Sequence, residues 1–147
     1  MAATRKRNKK AKGLTQLGSG ETIVPRSPDD AMLEAFANPY PNRDYSIHMD
    51  CPEFTSLCPL TGQPDFARIF IDYIPAASCV ESKSLKLYLF SYRNQGSFGE
   101  EIVNRILDDL VKLCQPRRMT VRGEFAPRGG IAIHVEAKHR KNKRDGS

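Results

Sequence analysis

Two stretches in which apolar and polar residues alternate enclose two stretches of helical period, and this order limits the chain to very few architectures. From Arg43 onward, Tyr45, Ile47 and Met49 alternate with Asp44, Ser46, His48 and Asp50, the period of a half-buried strand. Phe66 to Ile74, rich in Ile, Phe and Tyr, predicts a second strand. Leu85, Tyr88, Leu89 and Tyr92 then fall at i, i+3, i+4 and i+7 of a helix that Asn94, Gln95 and Gly96 stop. Val103, Ile106, Leu107, Leu110 and Cys114 describe a second helix ending before Pro116. Alternation returns at Met119, Val121 and Phe125, and after a turn at Pro127 to Gly130 it continues through Ile131, Ile133, Val135 and Ala137. The connections after the second helix are too short for parallel crossovers, so the order ββααββ predicts an α+β fold: an antiparallel four-stranded sheet with two helices on one face. Such a sheet has two open edges, and pairing them with other copies is a natural way to protect them.

At 147 residues the chain has room for one core. Residues 1–42, with seven Gly or Pro between Gly13 and Pro41, read as a flexible basic lead-in arm with a short helix around Asp30 to Ala37. The folded body is expected over 43–139 and a basic tail over 140–147. The formal net charge of +6 belongs to the ends. Residues 1–13 hold six Lys or Arg and no acid, residues 138–147 hold five with one Asp, and the segment between has 12 basic against 16 acidic residues. That body shows no stripe of Arg and aromatic residues for reading bases, so nucleic-acid binding would fall to the tails, which serve equally well as solubilising ends. No run of eighteen apolar residues and no secretory leader is present, which predicts a cytoplasmic protein with no membrane association.

Chemistry concentrates in the loop Thr55-Ser-Leu-Cys-Pro-Leu-Thr-Gly-Gln-Pro-Asp65. A thiol at Cys58 and a carboxyl at Asp65, seven positions apart across turn formers, permit attack on an electrophilic carbon with a proton delivered to the atom that gains charge. The same two residues also suit a small buried side chain and a strand-end acid, and the pattern alone leaves both readings open. Ser78-Cys-Val-Glu81 and Ser97-Phe-Gly-Glu100 each have capping-box spacing ahead of a helix. Each glutamate is thus a cap, or a carboxylate beside free N–H groups suited to a flat heterocycle. Lys83, Lys86 and Arg93, off the apolar stripe of the first helix, suit phosphates or a solvated face. The three histidines are scattered, no C-x-x-C is present, and no metal is expected. No G-x-G-x-x-G or G-x-x-x-x-G-K motif occurs, so a nucleotide would not be held by a Rossmann or P-loop unit.

Two of these segments together resemble one family. Glu81-Ser-Lys-Ser-Leu-Lys-Leu-Tyr88 is similar to the signature of the QueF nitrile reductases and Cys58-Pro-Leu-Thr-Gly-Gln-Pro-Asp65 to their nucleophile loop. Ser91-Tyr-Arg-Asn94 and Asn104-Arg105 follow in the right order, and the resemblance covers approximately residues 43–139. It implies a short, single-module NADPH-dependent reductase of 7-cyano-7-deazaguanine in queuosine biosynthesis, acting on the free base without binding tRNA. It also implies a tunnelling fold whose homo-oligomer forms a barrel with sites between subunits. Cys58 would form a covalent thioimide and Asp65 would donate the proton. Val80, Glu81, Ser82 and Glu100 would contact the deazaguanine, while Lys83 and Lys86 would serve NADPH. The family's usual His-Glu pair is Gly99-Glu100 here, and Gly99 is expected to offer the ligand a main-chain contact. An amidinotransferase-like relative that uses the same Cys and Asp without reduction, a metal-dependent hydrolase on this fold, and a small RNA-binding protein are the competing readings.

Overall fold

The computed structural model describes residues 24–142. Six strands and two helices follow in the order β1 (Ala35–Ala37), β2 (Ile47–Leu57), β3 (Pro64–Ile74), β4 (Ser78–Val80), α1 (Ser82–Phe90), α2 (Gly99–Cys114), β5 (Arg118–Phe125) and β6 (His134–Arg140). A 3-10 turn at Ser91–Asn94 extends α1, so Tyr92 stays on the apolar stripe after the α-helix ends. The main sheet has the order β2-β3-β5-β6, antiparallel throughout. This is the expected α+β architecture.

The core forms where the periods meet. Ala67, Ile69, Ile71 and Tyr73 alternate down one face of β3, and Met119 and Val121 continue that face on β5. Against them α2 buries Ile102, Val103, Ile106, Leu107 and Leu110, and α1 buries Leu85, Tyr88 and Leu89. Tyr88 is fully enclosed, but its hydroxyl donates to Asp109 at 2.5 Å and lies 2.9 Å from the Tyr92 hydroxyl, which satisfies both phenols and ties α1 to α2. Burial pushes the Tyr88 hydroxyl well above the ordinary phenol range.

Among the described residues no helix covers the opposite face of the sheet, which is largely polar. Asp50, Phe70, Arg122 and Glu136 form one row across all four strands, and His48, Asp72, Thr120 and Lys138 form another. Arg68 and Asp50 pair on this face through Nε at 2.7 Å. Among the described residues, β6 has an unpaired outer edge, and β2 is covered on its outer side only at Leu57.

Five expectations need correction. No helix spans Asp30 to Ala37: Pro28–Asp30 is a single 3-10 turn, and Ala35–Ala37 is a strand paired with β4. Residues 24–42 of the expected flexible arm are therefore built into the fold, and residues 1–23 lie outside the described residues. The apolar pattern around Phe36 is too short to separate helix from strand, and the distant Cys79 backbone settles the matter by pairing with it. Ile131 and Ile133 do not begin the last strand, which starts at His134, and both are exposed beside the turn.

The remaining two corrections concern the caps. Ser78 lies in β4 and Glu81 is itself the N-cap of α1, so no capping box forms there. At α2 the N-cap is Phe98 without a side-chain bond, and the Ser97 amide instead donates to Leu57 O at 3.2 Å. Glu100 therefore sits exposed in the first turn without a reciprocal serine.

At Gly123 the helix packs closely on the sheet. A Cβ there would lie 2.7 Å from Val103 Cγ2 and 2.9 Å from Phe125 Cε2, inside the core. Gly123→Ala is expected to cost about 1–3 kcal/mol of stability through overpacking, measured by urea unfolding.

Candidate active site

The β2–β3 hairpin presents the expected nucleophile. Leu57 pairs with Pro64 and Ser56 with Asp65, and the ladder closes where the Cys58 amide donates to Gln63 O at 2.8 Å. Gly62, at φ +71, turns the chain so that its amide reaches Cys58 O at 2.9 Å. Cys58 thus sits at the lip of the sheet, partly exposed, while Asp65 lies on the helix-side face of β3 in line with Ala67 and Ile69.

A third group, Arg128 in the turn expected at Pro127 to Gly130, completes the cluster. Arg128 and Ile131 exchange backbone bonds of 3.0 Å around Gly129 and Gly130, both at positive φ, as a two-residue hairpin requires. The turn aims the Arg128 guanidinium at the start of β3. Its Nε pairs with Asp65 Oδ1 at 2.6 Å, and its Nη2 donates to Gln63 O at 3.2 Å and Pro64 O at 3.1 Å. The visible signal was an arginine opening a Gly-Gly turn, but no local pattern shows that this turn reaches a strand far away in the sequence.

The environment activates the thiol. Hydrogen bonds from the Thr61 side chain, then from the Thr61 and Leu60 backbone, favour the thiolate, and the charge of Arg128 adds to them; together they lower Cys58 to about 7. Two other cysteines behave in the opposite way. Burial raises Cys51, and Cys114 is pushed up to about 11. All four thiols are free.

The loop before α2 abuts this site. Leu57 N–H donates to Gln95 O at 3.0 Å, and a Cβ on Gly96 would lie 3.3 Å from Pro59 Cα. Gly99 also has a packing reason to be glycine, since a Cβ there would meet Phe125 Cε2 at 2.8 Å. Gly99 and Glu100 therefore lie at the same end of the sheet as Cys58 and Asp65, because Phe125 pairs with Ala67, two residues beyond Asp65.

The second expected motif lies elsewhere. Val80 N–H donates to the Tyr73 hydroxyl at 2.9 Å, eight residues along β3 from Asp65, which is roughly 26 Å of extended strand. Glu81 is buried there, with Oε1 accepting from Lys83 N at 2.8 Å and Oε2 from Ser84 N at 2.7 Å. Ser82 lines one groove with Thr55, three residues before Cys58, while the hydrogen bonds of Val80 and Glu81 run to Tyr73 and to the start of α1 rather than to the Cys58 loop. On α1, Lys86 is exposed at the rim of a groove of about 490 Å³ lined by Cys51, Phe54, Leu85, Leu89 and Phe90 among others, with Lys83 one turn away. Arg93 stacks on Phe90, with Cζ 3.9 Å from the ring centroid. Among the described residues no three His, Cys, Asp or Glu side chains lie close enough to hold a metal ion, and no helix is long and apolar enough to cross a membrane.

Known proteins share both the sequence and the fold. The model of the QueF-like protein family matches residues 64–144. The NADPH-dependent 7-cyano-7-deazaguanine reductase of Neisseria meningitidis serogroup B is 54% identical over 134 residues, covering 91% of this chain and 85% of the relative. The enzyme of that name from Streptococcus mutans serotype c is 59% identical over 122 residues, covering 83% and 75%. This chain belongs to the QueF family. A crystal structure of the archaeosine synthase QueF-Like in the apo form superposes with a TM-score of 0.57 at 20% identity, covering 65% of this QueF-family chain and 91% of that one, and so shares its fold.

Thr61 makes the largest contribution to the acidity of Cys58, so Thr61→Val should raise the thiol from about 7 towards its ordinary value of 9.0. The thiolate fraction at neutral pH then falls, and alkylation of Cys58 by iodoacetamide should slow several-fold at pH 7 while converging with the parent rate above pH 9, as followed by mass spectrometry.

Proposed function

We propose that this chain reduces the nitrile of 7-cyano-7-deazaguanine to the aminomethyl group in the cytoplasmic pathway to queuosine. The balanced reaction is R–C≡N plus two NADPH and two protons giving R–CH2–NH2 and two NADP+. The observation that carries this reading is the Cys58 thiol, lowered to about 7 in a hairpin loop that ends beside the Asp65–Arg128 pair. Identity of 54% to an enzyme of that name over most of the chain supplies the substrate and cofactor.

The residues suit each step. Cys58 sulfur bonds to the nitrile carbon, one π bond breaks, and the electron pair moves to nitrogen. Asp65 carries the thiol proton to that nitrogen, giving a thioimide on Cys58. Arg128 pairs with Asp65 Oδ1 and so holds the carboxyl at the start of β3, beside the Cys58 loop. After the first reduction the C–S bond must break, and a thiol of low pKa is a good leaving group. The Lys83 and Lys86 side chains suit dinucleotide phosphates, and the apolar floor of the groove suits a ring. When bound, NADPH supplies the two hydrides.

The separation of the two motifs supports a site shared between copies. Cys58, Asp65 and Glu100 of one chain would meet Val80, Glu81 and Ser82 of a neighbour, with Gly99 offering its backbone. The open edges of β2 and β6 and the polar helix-free face suit a homo-oligomeric barrel of the tunnelling type, with that face turned to a wet lumen. Each Glu81 oxygen bonds one backbone amide and keeps capacity to accept from a heterocycle.

Two outcomes are expected. Purified protein should oxidise about two NADPH per nitrile consumed, in line with the stoichiometry of the two-hydride reduction; Cys58→Ala should abolish both turnover and the covalent adduct seen by mass spectrometry, while Cys51, Cys79 and Cys114 prove dispensable. Transfer of an amine without NADPH oxidation would favour the amidinotransferase-like chemistry instead. In addition, inactive Cys58→Ala and Glu81→Gln proteins should regain activity when unfolded and refolded together, because some interfaces then combine an intact Cys58 with an intact Glu81. Mixtures that stay inactive, with each variant shown to assemble, would place the whole site within one chain.

A further inference from the structure

Ser56 is only 1% exposed, yet its hydroxyl has no hydrogen-bond partner among the described residues. Buried hydroxyls are normally satisfied, so one left open needs a reason. Its position supplies one. Ser56 is the cross-strand partner of Asp65, and both point to the helix side of the ladder, two residues before Cys58. Directly opposed residues have Cβ atoms about 4.5–5.5 Å apart, within reach of a hydroxyl one bond from Cβ and a carboxyl oxygen two bonds from it. Arg128 occupies Asp65 Oδ1, and Oδ2 has no partner among the described residues.

We propose that Ser56 is a positioning residue for the Asp65 carboxyl, swinging onto Oδ2 by rotation about χ1 and holding the group in place when Asp65 is protonated during turnover. This inference rests on the nitrile-reductase reading. The contact with Arg128 is strongest with the ionised acid and weakens to an ordinary hydrogen bond once the carboxyl takes up the proton. A hydroxyl serves both states, donating to Oδ2 of the carboxylate and equally to Oδ2 as the carbonyl oxygen of the carboxylic acid, which leaves the acidic proton on the other oxygen free for the nitrile nitrogen. Arginine and serine therefore divide the task, one fixing Asp65 before proton uptake and the other keeping the acid aimed while it delivers the proton. A staggered side chain such as serine changes wells with little disturbance of the strand.

The test compares the parent, Ser56→Ala, Asp65→Asn and the double variant. Removing an unsatisfied buried hydroxyl should leave the melting temperature of Ser56→Ala at or above that of the parent. The rate at which 7-cyano-7-deazaguanine forms the Cys58 adduct should fall about tenfold, a part of what a whole acid–base group contributes. Nitrile affinity in a Cys58→Ala background and iodoacetamide alkylation of Cys58 should stay at the parent level. In the Asp65→Asn background, Ser56→Ala should change the adduct rate less than twofold, since both act through one carboxyl.

Several results would overturn the inference. A parent-like adduct rate in Ser56→Ala would do so while leaving the nitrile reading intact. So would a lower melting temperature or failure to fold, which would assign the hydroxyl to the fold, and so would equal losses with and without Asp65. A parent chain that forms no adduct at all would overturn both readings together.

Discussion

The register of the β2–β3 ladder is the constraint on which the rest depends. With Leu57 opposite Pro64, the residues Ser56 and Asp65 share the helix-side face, and the loop closes on the Cys58–Gln63 bond. A slip of one residue would turn each of these side chains to the other face. Burial on one side prevents that slip: Ala67, Ile69, Ile71 and Tyr73 would move into solvent together and Arg68, Phe70 and Asp72 would face the helices. The same hydrophobic alternation that folds the sheet therefore aims the acid and places the thiol.

The thiol illustrates how a small loop produces reactivity without depth. Cys51, Cys79 and Cys114 are half-buried or buried, and burial raises Cys51 and Cys114. Cys58 lies at the rim, where desolvation is weak and the donors of Thr61 and Leu60 outweigh it. Gly62 at positive φ makes that tight loop possible, and the Gly129-Gly130 turn brings a cation to it from the other side of the sheet. Reactivity here comes from hydrogen bonds and one charge rather than from an apolar pocket.

The two motifs fixed at opposite ends of β3 give the molecule its other main property. Glu81 is held at one end by the amides of α1, and Asp65 at the other by Arg128, with a rigid, fully paired strand between them. The site shared between copies that is proposed above rests on this separation. The uncovered edge of β6 and the helix-free polar face offer the surfaces for it.

The sequence by itself determined the architecture, since period-two and period-3.6 patterns are local and each long element announced itself through them: β2, β3, α1, α2 and β5 lie where alternation and helical spacing put them. It also displayed Cys58, Asp65 and the Glu81 motif, because turn formers and motif spacing are properties of contiguous residues. Only the tertiary structure decided what depends on partners distant in the chain. The Ala35–Ala37 segment became a strand because Ser78–Val80 was there to pair with it, and Glu81 became the cap itself because Ser78 was drawn into that pairing. Arg128 joined the site because the β5–β6 turn folds over the start of β3, and Ser56 was left with an open hydroxyl beside Asp65 by strand register. Hydrophobic period is written residue by residue, whereas a hydrogen-bond partner or a counter-ion is fixed only when remote segments are packed together.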